Sequence, residues 1–154
     1  MSTNITVVAQ RRDENGKWQE VPSDDLFDYC DYNVFGWMAG VRNYSAVTPL
    51  AEPRGLPPDW RVKEVTGTFR DGWDWDIFED HGCCSWYTTD ELMAVDYDQV
   101  VEDRRVMINN NGGCTCPSGE GVAMTLREFL GETVVNEFMS LRERGIERIV
   151  FGFS

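Results

Sequence analysis

The sequence predicts an α+β fold: a single compact domain over residues 1–154, with an N-terminal β-hairpin, a mostly antiparallel sheet packed by two or three helices, and a C-terminal strand. Three observations predict it. Asn15-Gly16, the strongest short hairpin signal, stands between two strand-like runs. Leu126, Phe129, Leu130, Val134, Phe138 and Leu141 recur at helical spacing. Strand-like and helix-like stretches do not alternate regularly, which opposes a doubly wound parallel sheet.

Ile5 to Gln10 is rich in β-branched residues and reads as the first strand; Lys17 to Val21 is its return, ended by Pro22 and Ser23. Gln10-Arg11-Arg12 stands on this hairpin with no role assigned by the sequence. Leu26 and Phe27 suggest a turn of helix. Asp31 caps a short helix with Val34, Phe35 and Met38 on one face and Gly40 as its stop. Residues 43–60 read as loop, stiffened by Pro53, Pro57 and Pro58. Arg61 to Arg70 alternates as a strand, with Gly67 placed for a bulge. Thr88 with Glu91, and Thr125 with Glu128, have capping-box spacing, so helices start at both. Residues 109–121 are a turn-rich loop. The helix from Leu126 to Leu141 is one element weakened by Gly131, with Gly145 as its cap. Ile149, Phe151 and Phe153 then alternate with Arg148, Val150 and Gly152 in the last strand.

A chain of 154 residues fits one domain and has no apolar run near the length of a membrane helix. Its start lacks the basic region and apolar core of a secretory signal, so the expectation is a cytosolic protein whose five cysteines are kept as thiols. The sequons at Asn4 and Asn43 then carry no meaning. The net charge is −13, from 27 acids and 14 bases. That opposes direct binding to duplex nucleic acid, which needs a basic face. It leaves two kinds of partner: a basic protein surface, or a small anion held in a locally basic pocket.

The stretch DHGCCSW, residues 80–86, holds the only histidine, two adjacent cysteines, an acid, a hydroxyl and an indole. His81, Cys83, Cys84, Cys114 and Cys116 are zinc-ligand types, but their spacings are too tight for structural zinc, and the zinc-deaminase signature is missing. A Cys–His nucleophile is disfavoured because surrounding acids raise a thiol pKa. Asp80 orienting His81, with Glu79 as a second acid, is a conceivable acid–base pair; a histidine that simply hydrogen-bonds a neighbouring loop is the blander reading. No phosphate-loop motif occurs, since Gly112-Gly113 and Gly119-x-Gly121 are too sparse. DGWDWDIFED, residues 71–80, is acidic and aromatic without being an EF-hand loop. Trp60, Trp73, Trp75 and Trp86 lie in or beside loops, where core packing accounts for most of them.

Three blocks in order, DYNVFGWMAGVRN (31–43), EPRGLPPD (52–59) and DHGCCSWYTTDELMAVDY (80–97), with the closing IERIVFGFS, resemble a family of small proteins encoded by tailed bacteriophages. The family pattern is approximately RNY-x-LF-x-x-LAGVRN, PRGLP, GHS-x-SW-[LV]-T-x-x-EL and a VRLVF-type strand. The resemblance covers most of the chain and implies a viral origin and a place in the host bacterial cytoplasm; it brings no established chemistry. His81, Ser85 and Trp86 match GHS-x-SW only with one extra residue between them, and the cysteines replace serine-like or variable positions. The same blocks place DHGCCSW in a loop feeding a helix N-terminus.

Together these observations lead to a phage accessory protein that acts by binding rather than catalysis and blunts antiviral defence. In the first version it sequesters a small anionic, nucleotide-type ligand: Arg42 and Arg54 supply charge, Trp86 stacks, and Asn43, His81 and Ser85 hydrogen-bond. In the second, Asp71, Asp74, Asp76, Glu79 and Asp80 form an acidic face that mimics nucleic acid on a basic host protein. The third is a hydrolase using His81. No cofactor or metal is called for, and the sequence leaves self-association open.

Overall fold

The computed structural model of the chain describes residues 2–23, 25–28, 30–60, 66–68, 74–107, 114–115 and 121–154, of which 66–68, 74–76, 106–107 and 114–115 are described by their backbone alone. In chain order the elements are β1 (Ile5–Arg12), β2 (Trp18–Val21), α1 (Tyr32–Ala39), β3 (Thr66–Thr68), β4 (Asp74–Asp76), β5 (Gly82–Thr88), α2 (Thr89–Met93), β6 (Val100–Asp103), β7 (Val106–Met107), β8 (Cys114–Thr115), β9 (Val122–Thr125), α3 (Leu126–Leu130), α4 (Glu132–Ser140) and β10 (Arg148–Phe153). The fold is α+β, every strand pair among the described residues is antiparallel, and the hairpin and closing strand lie where the sequence puts them. No helix among the described residues is long and apolar enough to cross a membrane. The chain divides into two compact units: residues 1–30, 53–94 and 137–154, and residues 31–52 and 95–136.

The first unit is built on the sheet β2-β1-β10-β5. The β1–β2 turn works as the sequence predicts. Gly16 takes φ 78°, and the Asp13 carboxylate accepts from the backbone N–H groups of Asn15 (2.8 Å) and Lys17 (2.9 Å). β10 is central and all six of its residues are buried, so its alternation divides the unit's interior between two sheet faces. Ala9, Ile149, Phe151, Phe153 and Tyr87 fall on one face by register; Val8, Gln10, Arg148, Val150 and Trp86 fall on the other. On that second face Val8, Phe78 and Val150 form a buried cluster, packed by Leu56, Trp60, Ile77, Cys84 and Trp86. β3 and β4 form a separate two-stranded pair.

The structure corrects several expectations. Residues 82–88 are strand β5, not a loop, although a helix does begin at its end. The sequence hides this because Cys83 adopts φ 51° and the pairing with β10 shifts register between Phe151 and Phe153, which breaks the alternation a strand would show. The helix expected over 126–141 is two helices. Gly131, at φ 94° and ψ 141°, ends α3, and α4 stops at Ser140. Gly145, at φ 73°, therefore closes the turn after α4 rather than capping the helix. Phe27 sits at φ 62° in a turn, so no helical turn forms there. The strand expected over 61–70 is seen as β3 alone, the rest lying outside the described residues, as does most of the 109–121 loop.

In the second unit, α1 has the predicted caps: Asp31 accepts from the Asn33 N–H (2.9 Å) and Gly40 takes φ 71°. Asn33 Nδ2 donates to the Phe129 carbonyl (3.1 Å), tying α1 to α3. A Cβ on Gly36 would meet the Asn43 side-chain oxygen at 2.9 Å and its Cα at 3.0 Å. Gly36→Ala is therefore expected to destabilise by about 1–3 kcal/mol, since this overlap outweighs the helix-propensity gain of about 1 kcal/mol. Thermal melts of the variant check it, and an unchanged or higher melting temperature would contradict it.

Candidate functional site

Arg54, Ser85 and Trp86 do come together in the first unit, where they make a clasp along the outer edge of β5. The Arg54 N–H donates to Ser85 Oγ (3.0 Å) and the Gly55 N–H to the Cys84 carbonyl (2.9 Å). The Arg54 guanidinium donates to the Trp86 carbonyl (3.0 Å), forks onto both Glu91 carboxylate oxygens, and lies 4.9 Å from the Trp86 ring centroid. Glu91 also closes the Thr88 capping box. All the charge Arg54 brings is thus matched inside the protein, and the segment covers an edge that would otherwise offer unpaired backbone groups.

The Arg54 fork holds the Glu91 carboxyl at about 2, against a burial effect in the other direction, with the Thr88 backbone N–H helping. A carboxyl pKa depressed by folding contributes stability that is complete above its ordinary value of 4.5 and is lost as pH falls towards 2. Glu91→Gln is expected to lower the melting temperature at neutral pH and to flatten its fall between about pH 6 and pH 3 relative to wild type. Parallel acid-side slopes for the two proteins would refute this.

His81 is placed by packing. Its Nε2 lies 2.8 Å from Thr6 Oγ1, its ring stands edge-on to Phe78, and Nδ1 is buried without a hydrogen-bond partner. Asp80 and Glu79 are exposed, and neither is hydrogen-bonded to the ring. Cys83 is exposed and Cys84 half-buried, its thiol 3.6 Å from the His81 carbonyl. No group of three histidine, cysteine or acidic side chains among the described residues is arranged to hold a metal ion. Of the acidic set, Asp71 lies outside the described residues and Asp74 and Asp76 are described only as backbone of β4.

Arg42 and Asn43 belong to the second unit. Arg42 reaches over the Tyr32 ring (5.8 Å) and donates to the Tyr44 hydroxyl (3.3 Å). Asn43 staples its own loop, accepting from the Val47 N–H (3.1 Å) and donating to the Val47 carbonyl (2.8 Å). A cavity of about 360 Å³ in this unit is lined by Trp37, Val47, Gln99, Glu102 and Arg104, and it offers an anion a single arginine.

A more promising site lies in the first unit, at the end of the sheet where β1 and β2 meet the turn before β10. A groove of about 590 Å³ is lined by Arg11, Arg12, Trp18, Thr88, Thr89, Asp90, Arg142, Gly145, Ile146 and Glu147. Three of the chain's 14 basic residues line it, in a protein with 27 acids. The carboxylates here sit in ion pairs at the surface: Arg12 with Glu147, whose side chains are 57 % and 41 % exposed, and Arg142 with Asp90, at 61 % and 86 %. Pairs this exposed are worth about 0–1 kcal/mol, so an incoming anion can exchange for them.

Trp18 forms the apolar wall, and it is fixed from behind. The Arg148 guanidinium stacks 3.7 Å from its centroid, and its indole N–H donates to Asp59. Arg148 itself is buried, donating to Gln10 Oε1 (2.7 Å) and Asp59 Oδ1 (2.8 Å). Burial pushes the Asp59 carboxyl up, but Arg148 and the Trp18 indole together hold it below its ordinary value.

This groove is not among the sites the sequence predicts, although part of its signal is present there. The hairpin places Arg12 directly opposite Trp18. What brings Arg142 and Glu147 alongside is the pairing of β10 with β1, between residues more than a hundred positions apart. No protein-family model, no curated protein and no solved structure matches the chain.

Proposed function

We propose that the protein binds a small anionic, nucleotide-type ligand in the groove of Arg11, Arg12, Trp18 and Arg142, as a phage-encoded protein that withdraws such a ligand from antiviral defence in the host bacterial cytoplasm. The observation that carries the binding reading is the convergence of three arginines and an indole on one groove of a strongly acidic protein. Guanidinium forks suit phosphate oxygens, and a braced indole suits a planar base. The viral setting rests on the four sequence blocks alone. This reading keeps the ligand class expected from the sequence and moves its site from Arg42, Asn43, Arg54, His81, Ser85 and Trp86 to the hairpin end.

The test is native mass spectrometry after incubation with a small-molecule extract of bacteria. Wild type is expected to carry an added mass of nucleotide size that vanishes on denaturation. The combined variant Arg11→Ala/Arg12→Ala/Arg142→Ala is expected to lose it. A bare wild-type chain, or an adduct retained in full by the variant, would refute the assignment.

A further inference from the structure

The Glu147 carboxylate occupies a ready-made oxyanion cradle. Its Oε2 accepts from the Arg12 backbone N–H (2.5 Å) and from Arg12 Nε (3.3 Å), and its Oε1 from Arg12 Nη2 (3.3 Å). The cradle follows from the sheet. β1 runs to Arg12, but β10 begins only at Arg148, opposite Gln10, so the Arg12 N–H extends past the ladder's end. Glu147 is the residue that stands there. Its own backbone is fixed, its N–H donating to the Gln10 carbonyl (2.8 Å) and its carbonyl accepting from the Thr89 N–H (2.9 Å). Only its half-exposed side chain is free to leave.

We infer that the Arg12 cradle is the groove's phosphate subsite and that Glu147 is a built-in competitor for it, so that the groove admits phosphate monoesters and rejects carboxylates. The inference rests on the groove reading above. A carboxylate ligand offers the cradle the same charge and the same two oxygens that Glu147 already supplies from a tethered position, and the tether gives Glu147 an effective concentration of about millimolar or more. A phosphate monoester brings a second charge and a third oxygen. Arg11 and Arg142, on the same groove, are the donors for these. Glu147 thereby sets selectivity without touching the bound ligand.

The experiment is calorimetric titration of the full chain with adenosine 5′-monophosphate and with adenosine 5′-carboxylate as probes. Wild type is expected to bind the phosphate and not the carboxylate. Glu147→Gln is expected to bind the phosphate about five- to tenfold more tightly and to admit the carboxylate, because it removes a competing charge and leaves the cradle intact. Glu147→Ala should behave alike, and thermal melts of both variants confirm folding. If wild type binds the phosphate and both variants bind it equally or more weakly, Glu147 is no competitor and the inference fails while the groove stands. If neither wild type nor variants bind the phosphate, the groove reading fails and takes the inference with it.

Discussion

Phe151→Ala is expected to cost about 4 kcal/mol, the largest loss for any single truncation in the first unit. Phe151 is the buried centre of the middle strand: it pairs with Val7 of β1 and Ser85 of β5, and its ring lies 5.6 Å from Tyr87 and 5.9 Å from Phe153. Truncation removes the transfer energy of a ring and leaves a cavity on one face of the sheet beside Tyr87 and Phe153, and the ladders on both sides of β10 keep the backbone from moving in to fill it. Chemical denaturation followed by tryptophan fluorescence measures it. A loss below about 1 kcal/mol would mean that the site collapses freely and that β10 is not the rigid centre described.

Arg148→Ala is expected to cost about 3 kcal/mol, and through a different route. The arginine is buried between Gln10, Asp59 and the Trp18 ring, and its Nη2 is buried without a partner, so it is held by an incomplete polar network. Removing it orphans Gln10 Oε1, which is fully enclosed, and leaves the inner face of Trp18 unsupported. Arg148→Met restores the bulk under the indole and should recover about half of the loss, because Asp59 is half-exposed and can turn to water. Because Trp18 is the groove's apolar wall, the alanine variant should also weaken ligand binding while the methionine variant does so less. Equal stability for alanine and wild type would contradict the bracing role.

The elements that could be read from sequence are those whose signal is local. The Asn15-Gly16 hairpin, the Asp31 and Gly40 caps of α1, and the capping boxes at Thr88 and Thr125 each depend on residues a few positions apart, and all are found. Elsewhere distant pairing overrides local pattern. β5 carries a strained Cys83 and a register shift, yet β10 accepts it as a neighbour. Gly131 was legible as a weak point but not as a break, since the apolar spacing continues across it. The same contrast governs the site. The sequence groups Arg42, Asn43, Arg54, His81, Ser85 and Trp86; of these Arg54, Ser85 and Trp86 make one clasp, and one sequence does not show that Glu91 answers the arginine's charge. The groove's arginines and Trp18 stand towards the two ends of the chain, with Thr88 to Asp90 between them, and it takes the pairing of β10 with both β1 and β5 to join them.

The most direct test of the account is where a nucleotide is felt on the molecule. In a ¹H–¹⁵N correlation spectrum titrated with adenosine 5′-monophosphate, the largest shifts are expected at the backbone N–H groups of Arg11, Arg12 and Glu147, at Arg142 and at the Trp18 indole N–H. Signals of Arg42, Asn43, His81, Ser85 and Trp86 should stay in place. A spectrum that moves at those five residues and leaves the hairpin end untouched, or that does not move at all, would contradict the claim that the arginine groove is the binding site.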